Sequence, residues 1–321
     1  MSKVLYPMQL MPSFKDYIWG GQKLKTLFQK QTSMDPVAES WEVSVRDEGM
    51  SVVRNGEYQG KTLKQVWEYL KEELVGRHAD PFPLLVKLID AKEMLSVQVH
   101  PNEKIAKKLD SEAKNESWLI LDCETDSHLY LGFKEGVAKE DVQKAFLDNT
   151  IESLLRKMPV QKNQVCFIPA GTVHAIGKGC VILEVQQSSD TSYRLYDWNR
   201  LGKEGKKRDL HIKQAMLALD VNLRPQIFEM EKIEQIEDSQ RYLILQTPYF
   251  TIEKWSVKEY VKIPHIQTTF EVFFIQKGKG KISANTTVDV QMGETVLVPA
   301  KIPSIELQTE DEIEVVRICL H

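Results

Sequence analysis

The sequence predicts a mainly β protein made of two jelly-roll-type β-barrels, with helical insertions in and before the first. Three observations point there. From Pro81 onward the chain runs in short alternating segments, rich in β-branched residues and separated by turn residues, the pattern of an antiparallel sandwich or barrel. Two stretches break that pattern with apolar residues at three- and four-residue steps. The last third then repeats motifs of the middle third, as a duplicated unit would.

In 62–75, Leu63, Val66, Trp67, Leu70 and Leu74 share one helical face, and Thr62 with Gln65 has the form of a capping box. Strands are expected at 84–89, 95–100 and 118–122. Segment 139–158 places Val142, Ala145, Phe146, Ile151, Leu154, Leu155 and Met158 at helical steps, which predicts two helices broken at Asp148-Asn149. Both helical stretches read as amphipathic covers over a sheet. Strands follow at Val165–Ile168 and 181–186, then a helix at 210–219. Residues 221–225 and the charged run 229–240 read as a connection between domains, and 242–321 reads as strands again.

The repeat sets Glu116-Ser-Trp-Leu-Ile-Leu-Asp-Cys123 over Glu271-Val-Phe-Phe-Ile-Gln-Lys-Gly278, and Phe167-Ile-Pro-Ala-Gly-Thr-Val-His174 over Leu297-Val-Pro-Ala-Lys-Ile-Pro-Ser304. One insertion, carrying 139–158, separates the two copies' spacing. Two domains follow, 1–225 and 226–321, and 321 residues suit two cores because single cores stop growing near about 250–300 residues. The second copy keeps the glutamate but has Ser304 where the first has His174, so it is expected to hold no metal.

Hydrophobic residues at 42% and charged residues at 27% fit a globular enzyme and exclude a disordered or fibrous chain. A net charge of −4 and a pI near 6.0 leave no global basic field for nucleic acid or an anionic membrane, so any phosphate must be bound locally. Residues 1–7 lack a signal-peptide stretch, and no run approaches the roughly 20 apolar residues that span a bilayer. A cytoplasmic protein is expected. Cys123, Cys166, Cys180 and Cys319 show no CxxC or disulfide-scaffold spacing and read as buried thiols.

The chemistry concentrates in Met94-Leu-Ser-Val-Gln-Val-His-Pro101. On a strand Ser96, Gln98 and His100 share one face, which alone could be a wet face of a half-buried sheet. Glu116, near the start of the next apolar strand, and His174, after the turn Pro169-Ala-Gly-Thr172, complete a set of two oxygens and two imidazole nitrogens. Such a set suits tetrahedral zinc with room for water or substrate.

Gln98-Val-His100-Pro101, Lys114-Asn-Glu116 and Pro169-Ala-Gly-Thr-Val-His174 resemble the zinc motifs of type I mannose-6-phosphate isomerases, of the shorter bacterial kind, in the cupin superfamily. Ile18-Trp-Gly-Gly21, Glu39-Ser-Trp-Glu42 and Ser189-Asp190 with Tyr193-Arg194 widen the resemblance. It covers about two thirds of the chain well and the C-terminal barrel loosely. Where the family commonly reads Lys-Pro-Glu this chain has Lys114-Asn115-Glu116, which keeps both functional side chains.

The resemblance implies one zinc per chain on Gln98, His100, Glu116 and His174, with Arg194 and Lys114 as basic residues of the pocket. It implies a zinc-dependent aldose–ketose isomerase that interconverts mannose 6-phosphate and fructose 6-phosphate through a cis-enediol. The chemistry then needs a Lewis acid, a base, and a cation to fix the phosphate. For the base, Glu184 is favoured and Asp190 is second; Arg194 can orient phosphate or polarise sugar oxygens, and a planar guanidinium suits both. Ser96 and Lys87 are further candidates for the phosphate or pocket. The partners implied are a small sugar phosphate, with no nucleic acid and no membrane, and the chain as a monomer or homodimer.

Other residues carry plainer readings. His78, His128, His211, His265 and His321 lack partners at ligand spacing and read as surface or structural, and Trp19, Trp41, Trp67, Trp118 and Trp198 read as core. The basic run 200–213 reads as a solvated loop, and its position just after Arg194 permits a role in attracting phosphate. Two rival classes, a non-catalytic sugar-binding cupin and an iron oxygenase on the same fold, explain less. Binding alone does not need Lys114 and Arg194 beside the full ligand set, and oxygenase sites commonly use two His and one carboxylate without Gln98.

Overall fold

A computed structural model of the chain describes residues 3–77, 81–202, 205–265 and 267–320, so His78 and His321 lie outside the described residues. The capping box forms as expected. Gln65 N–H donates to the Thr62 hydroxyl at 3.2 Å and Thr62 N–H donates to Gln65 Oε1 at 3.0 Å. Helix Leu63–Leu70 ends at Lys71, whose φ of 52° no longer continues it, and a short helix Glu72–Val75 follows. Helix Ile212–Ala218 lies within 210–219.

Two expectations are corrected. After helix Lys139–Leu147 and the 3-10 turn Ile151–Leu154, residues Leu155–Pro159 form a strand antiparallel to His128–Phe133, not a second helix. Asn149, at φ 57°, stops the helix, and pairing at a sheet edge outweighs the local helical spacing of Leu155 and Met158. The charged run after 229 is no linker either. Glu231–Ile236 pairs with Ser239–Gln246 as an exposed, charged edge strand, a composition that resists further pairing.

Three antiparallel sheets make up the molecule, and the mainly β class stands; strand order is open in each among the described residues. A seven-stranded sheet runs from Ile227–Phe228 through Val165–Ile168, Glu116–Cys123, Cys180–Gln187, Leu84–Ala91 and Glu39–Val43 to Ser13–Lys15. A five-stranded sheet holds Tyr193–Tyr196, Val97–Val99, His174–Ile176, His128–Phe133 and Leu155–Pro159. The ten-stranded sheet is built mainly from residues after 226. Met8–Met11 and Val52–Val53, on the other side of the 225/226 division, also belong to it, Met8 standing opposite Leu297.

The central sheet is buried on both faces, which is why its strands read as nearly continuous apolar runs. Leu119, Leu121, Leu183, Val185, Val86 and Leu88 pack in one core with Ile252, Val272 and Phe274 of the ten-stranded sheet. The alternate residues Trp118, Ile120, Ile182 and Ile89 pack with Leu95, Leu129, Leu131 and Ile176 on the side of the five-stranded sheet. That second face also carries the polar residues of interest. Among the described residues no helix is long and apolar enough to cross a membrane.

Candidate active site

Glu116 begins a strand of the central sheet, His174 begins a strand of the five-stranded sheet, and His100 directly follows Val97–Val99. The turn at Pro169–Thr172 ties them together. Gly171, at φ +93°, donates its N–H to the His100 carbonyl at 2.8 Å, a conformation that favours glycine. The three side chains then converge: His100 Nε2 lies 3.4 Å from Glu116 Oε2, and His174 Nε2 lies 3.2 Å from Glu116 Oε1. The ligand-capable atoms of the trio all fall within 4.8 Å of one another.

Both imidazoles are held in one tautomer. Nδ1 of His100 lies 2.8 Å from the Thr191 carbonyl and Nδ1 of His174 lies 2.9 Å from the Thr172 carbonyl. A carbonyl only accepts, so each Nδ1 carries the proton and each Nε2 turns a lone pair on Glu116. Burial pushes His100 down to about 3 and lowers His174 as well, so both rings are neutral. Burial works against the charge of Glu116, but Lys114 and the two imidazoles hold it well below the usual carboxylate range. Both Nε2 atoms and both Glu116 oxygens are buried without a hydrogen bond. Glu116 Oε2 has the Lys114 ammonium at 3.1 Å, but the other three atoms face no donor, which is costly for buried lone pairs. Two neutral nitrogens beside an ionised carboxylate are a cation's donor set. The residues fit a divalent metal.

Gln98 stands directly opposite His174 and Arg194 in the strand register, and its amide oxygen accepts the Ser192 hydroxyl. Lys114, buried, places Nζ 3.1 Å from Glu116 Oε2 and 4.0 Å from Glu184 Oε1.

Cross-strand register lines up Trp118, Glu184, Lys87 and Trp41 on one face of the central sheet. Glu184 Oε2 accepts the Trp118 indole N–H at 3.0 Å, while Oε1 is buried without a hydrogen bond, 3.5 Å from Lys87 Nζ. Lys87 also lies 3.7 Å from Glu39 Oε2 and 4.8 Å from the centre of the Trp41 ring. Burial disfavours its charge, yet Glu39 and Glu184 raise its pKa above the ordinary lysine value. For Glu184 burial raises the pKa, Lys114 opposes and Glu116 adds to it.

These groups open on a cavity of about 250 Å³. Ser96, Gln98, Lys114, Glu184 and Arg194 line it with Lys87, and exposed Asp190 stands at its rim. Arg194 reaches Ser96 Oγ at 3.4 Å and the Asp209 carbonyl at 2.8 Å. Sequence reasoning missed Tyr17, Glu39 and Arg208 as wall residues and read Trp19, also in the wall, as core alone. The available signal was Trp19-Gly20-Gly21: a Cβ on Gly20 would lie 2.6 Å from Ala38 Cα, and that close approach brings 17–19 against the strand that starts at Glu39.

In the second copy Glu271 is also buried, but its carboxylate accepts two Arg317 N–H groups at 2.7 Å and lies 2.8 Å from His265 Nδ1. Arg317 reaches Glu253 at 3.1 Å as well. An arginine thus neutralises the place where the first copy has lone pairs to offer, and His265 is structural. Among the described residues, His100, Glu116 and His174 form the metal-capable group.

The family model of the phosphomannose isomerase type I catalytic domain matches residues 8–120, and that of the mannose-6-phosphate isomerase cupin domain matches 239–319. Mannose-6-phosphate isomerase ManA of Bacillus subtilis is 35% identical over 94% of this chain and 96% of its own length. Mannose-6-phosphate isomerase of Streptococcus mutans is 32% identical over 96% of each chain. The crystal structure of the mannose 6-phosphate isomerase from Bacillus subtilis superposes with a TM-score of 0.90 at 30% identity, covering 97% of this chain and 99% of that one.

Proposed function

This chain belongs to the type I phosphomannose isomerases and isomerises mannose 6-phosphate, and we propose that it does so with one zinc ion on Gln98, His100, Glu116 and His174 and with Glu184 as base. The observation that carries the reading is the set of four buried atoms without hydrogen bonds on His100, Glu116 and His174. Zinc would supply Lewis acidity to sugar oxygens that gain negative charge as the proton moves.

Glu184 Oε1 takes the proton from C2 of open-chain mannose 6-phosphate, leaving the negative charge on O1 of the cis-enediol as an enediolate. With a hydroxyl proton shifted between O1 and O2, return of the carbon proton to C1 gives fructose 6-phosphate. No other reactant is consumed. Lys114, between Glu116 and Glu184, keeps positive charge on the wall where the enediol gains negative charge. The Trp118 N–H fixes the other oxygen of Glu184. Ser96, Lys87 and Asp190 serve as pocket residues. Catalysis falls to 1–225, and 226–321 braces it as the second of two jelly-roll units, a reading supported by the cupin-domain match over 239–319.

The direct test is isomerisation of mannose 6-phosphate before and after chelation and after zinc is restored. Activity lost and regained is expected; full activity in metal-free protein would sink the reading. Arg194→Lys is expected to keep fold and metal while lowering kcat/KM about 10–100-fold, because an ammonium cannot reproduce a guanidinium's parallel hydrogen bonds. A raised KM marks a phosphate role and a lowered kcat marks proton transfer. Near-normal constants would mean that Arg194 has neither.

A further inference from the structure

Arg194 and Arg208 both line the inner cavity, and both also line an outer, wider one of about 670 Å³ that carries the exposed Lys206 and Lys207. The two guanidinium groups therefore stand at the neck between a chamber holding Glu184 and Lys114 and a vestibule in which Arg194, Arg208, Lys206 and Lys207 outnumber Asp16 and Asp209. Their partners are unequal. Arg208 donates from Nε and Nη2 to the two oxygens of Asp197, at 2.8 and 2.6 Å, a bidentate pair that fixes its plane. The same buried carboxylate also takes Arg200 at 2.9 Å. Half-buried Arg194 meets only neutral oxygens, and no carboxylate lies within ion-pair distance of it among the described residues.

Positive charge at the neck thus exceeds what Asp197 balances. Burial lowers the pKa of Arg194 and Arg208 is the next largest cause, with Asp197 and Asp209 opposing but not offsetting them. The other cations of the wall, Lys87 and Lys114, are not free to supply an anion site, since Glu39 and Glu184 flank the first and Glu116 and Glu184 the second.

We infer that Arg208, held in place by Asp197, binds the phosphate of the sugar phosphate together with Arg194 at the cavity neck, so that Arg208 determines phosphate specificity and Asp197 is its positioning residue. This rests on the isomerase reading for the identity of the ligand, and on the neck's own geometry for an anion site. A phosphate at the neck leaves the sugar's carbonyl end free to extend inward to Glu184. Lys206 and Lys207 then serve to draw the dianion in from solvent.

The test uses the full, metal-loaded chain. Inorganic phosphate is titrated calorimetrically into wild type and Arg208→Gln, and both are assayed on mannose 6-phosphate. Phosphate affinity is expected to fall about 10–100-fold in the variant, with KM rising by a similar factor and kcat within about threefold of wild type. Asp197→Asn is expected to raise KM by a smaller factor with kcat kept, because Arg208 retains its charge and loses its tether; a merely structural role would not single out KM. Unchanged phosphate affinity in folded Arg208→Gln protein, or no phosphate binding by wild type, overturns the proposal. Phosphate binding does not depend on turnover. Protein that binds phosphate through Arg208 yet isomerises no sugar phosphate would keep the anion site and reject the isomerase reading.

Discussion

Replacing His100 and His174 together by alanine is expected to remove the bound metal and lower kcat by about 10⁴-fold, while the chain stays folded. Lewis-acid stabilisation of developing charge is worth several kcal/mol, and each 1.36 kcal/mol is about tenfold in rate. The fold should survive because Glu116, the charged member, keeps Lys114 at 3.1 Å and is not left as a lone buried charge. The rings' own hydrogen bonds go to the backbone carbonyls of Thr172 and Thr191, groups in short loops that water can satisfy. Elemental analysis of pure protein, circular dichroism and the isomerase assay together check this. Full metal content in the folded double variant would show that the cluster is not the metal site.

Part of the metal-capable cluster was legible because a strand's period of two needs only local sequence. Gln98 and His100 alternate with Val97 and Val99, so both could be assigned one face before their neighbours were known, while Glu116 was placed only near a strand start and His174 only after a turn. Which strands lie side by side is a long-range fact, and there the family motifs carried the reading. Glu39 escaped because alternation in Glu39–Val43 marks Ser40 and Glu42 as the polar face, while Glu39 shares the other face with Trp41; the cavity finds it through Lys87, opposite Trp41. Arg208 escaped for the opposite reason. It sits in a polar run whose composition describes a solvated loop equally well, and only its pairing with Asp197 distinguishes it. Leu155–Pro159 and Glu231–Ile236 failed as expectations because edge strands take their form from one neighbour, which helical spacing in the first and charge in the second concealed.

Glu184→Gln is expected to lower kcat by about 10³-fold with metal content, fold and KM close to wild type. General-base catalysis contributes about 10²–10⁴-fold, and the amide keeps the shape of the side chain and an oxygen to accept the Trp118 N–H while losing the ability to take a proton. The rival reading, that Glu184 merely neutralises Lys87 and Lys114, predicts something different. Loss of that charge would leave Lys87 paired with Glu39 and Lys114 paired with Glu116, so a structural carboxylate would cost stability and little turnover. The pH profile separates the two further. A base works only when deprotonated, so kcat falls as pH drops through its pKa, and burial places that limb above the usual carboxylate range even though Lys114 opposes the shift. In the Gln variant the acid limb should vanish from the residual rate. A variant that keeps both a wild-type kcat and the acid limb would transfer the role of base to another residue, with Asp190 at the cavity rim the first to be replaced.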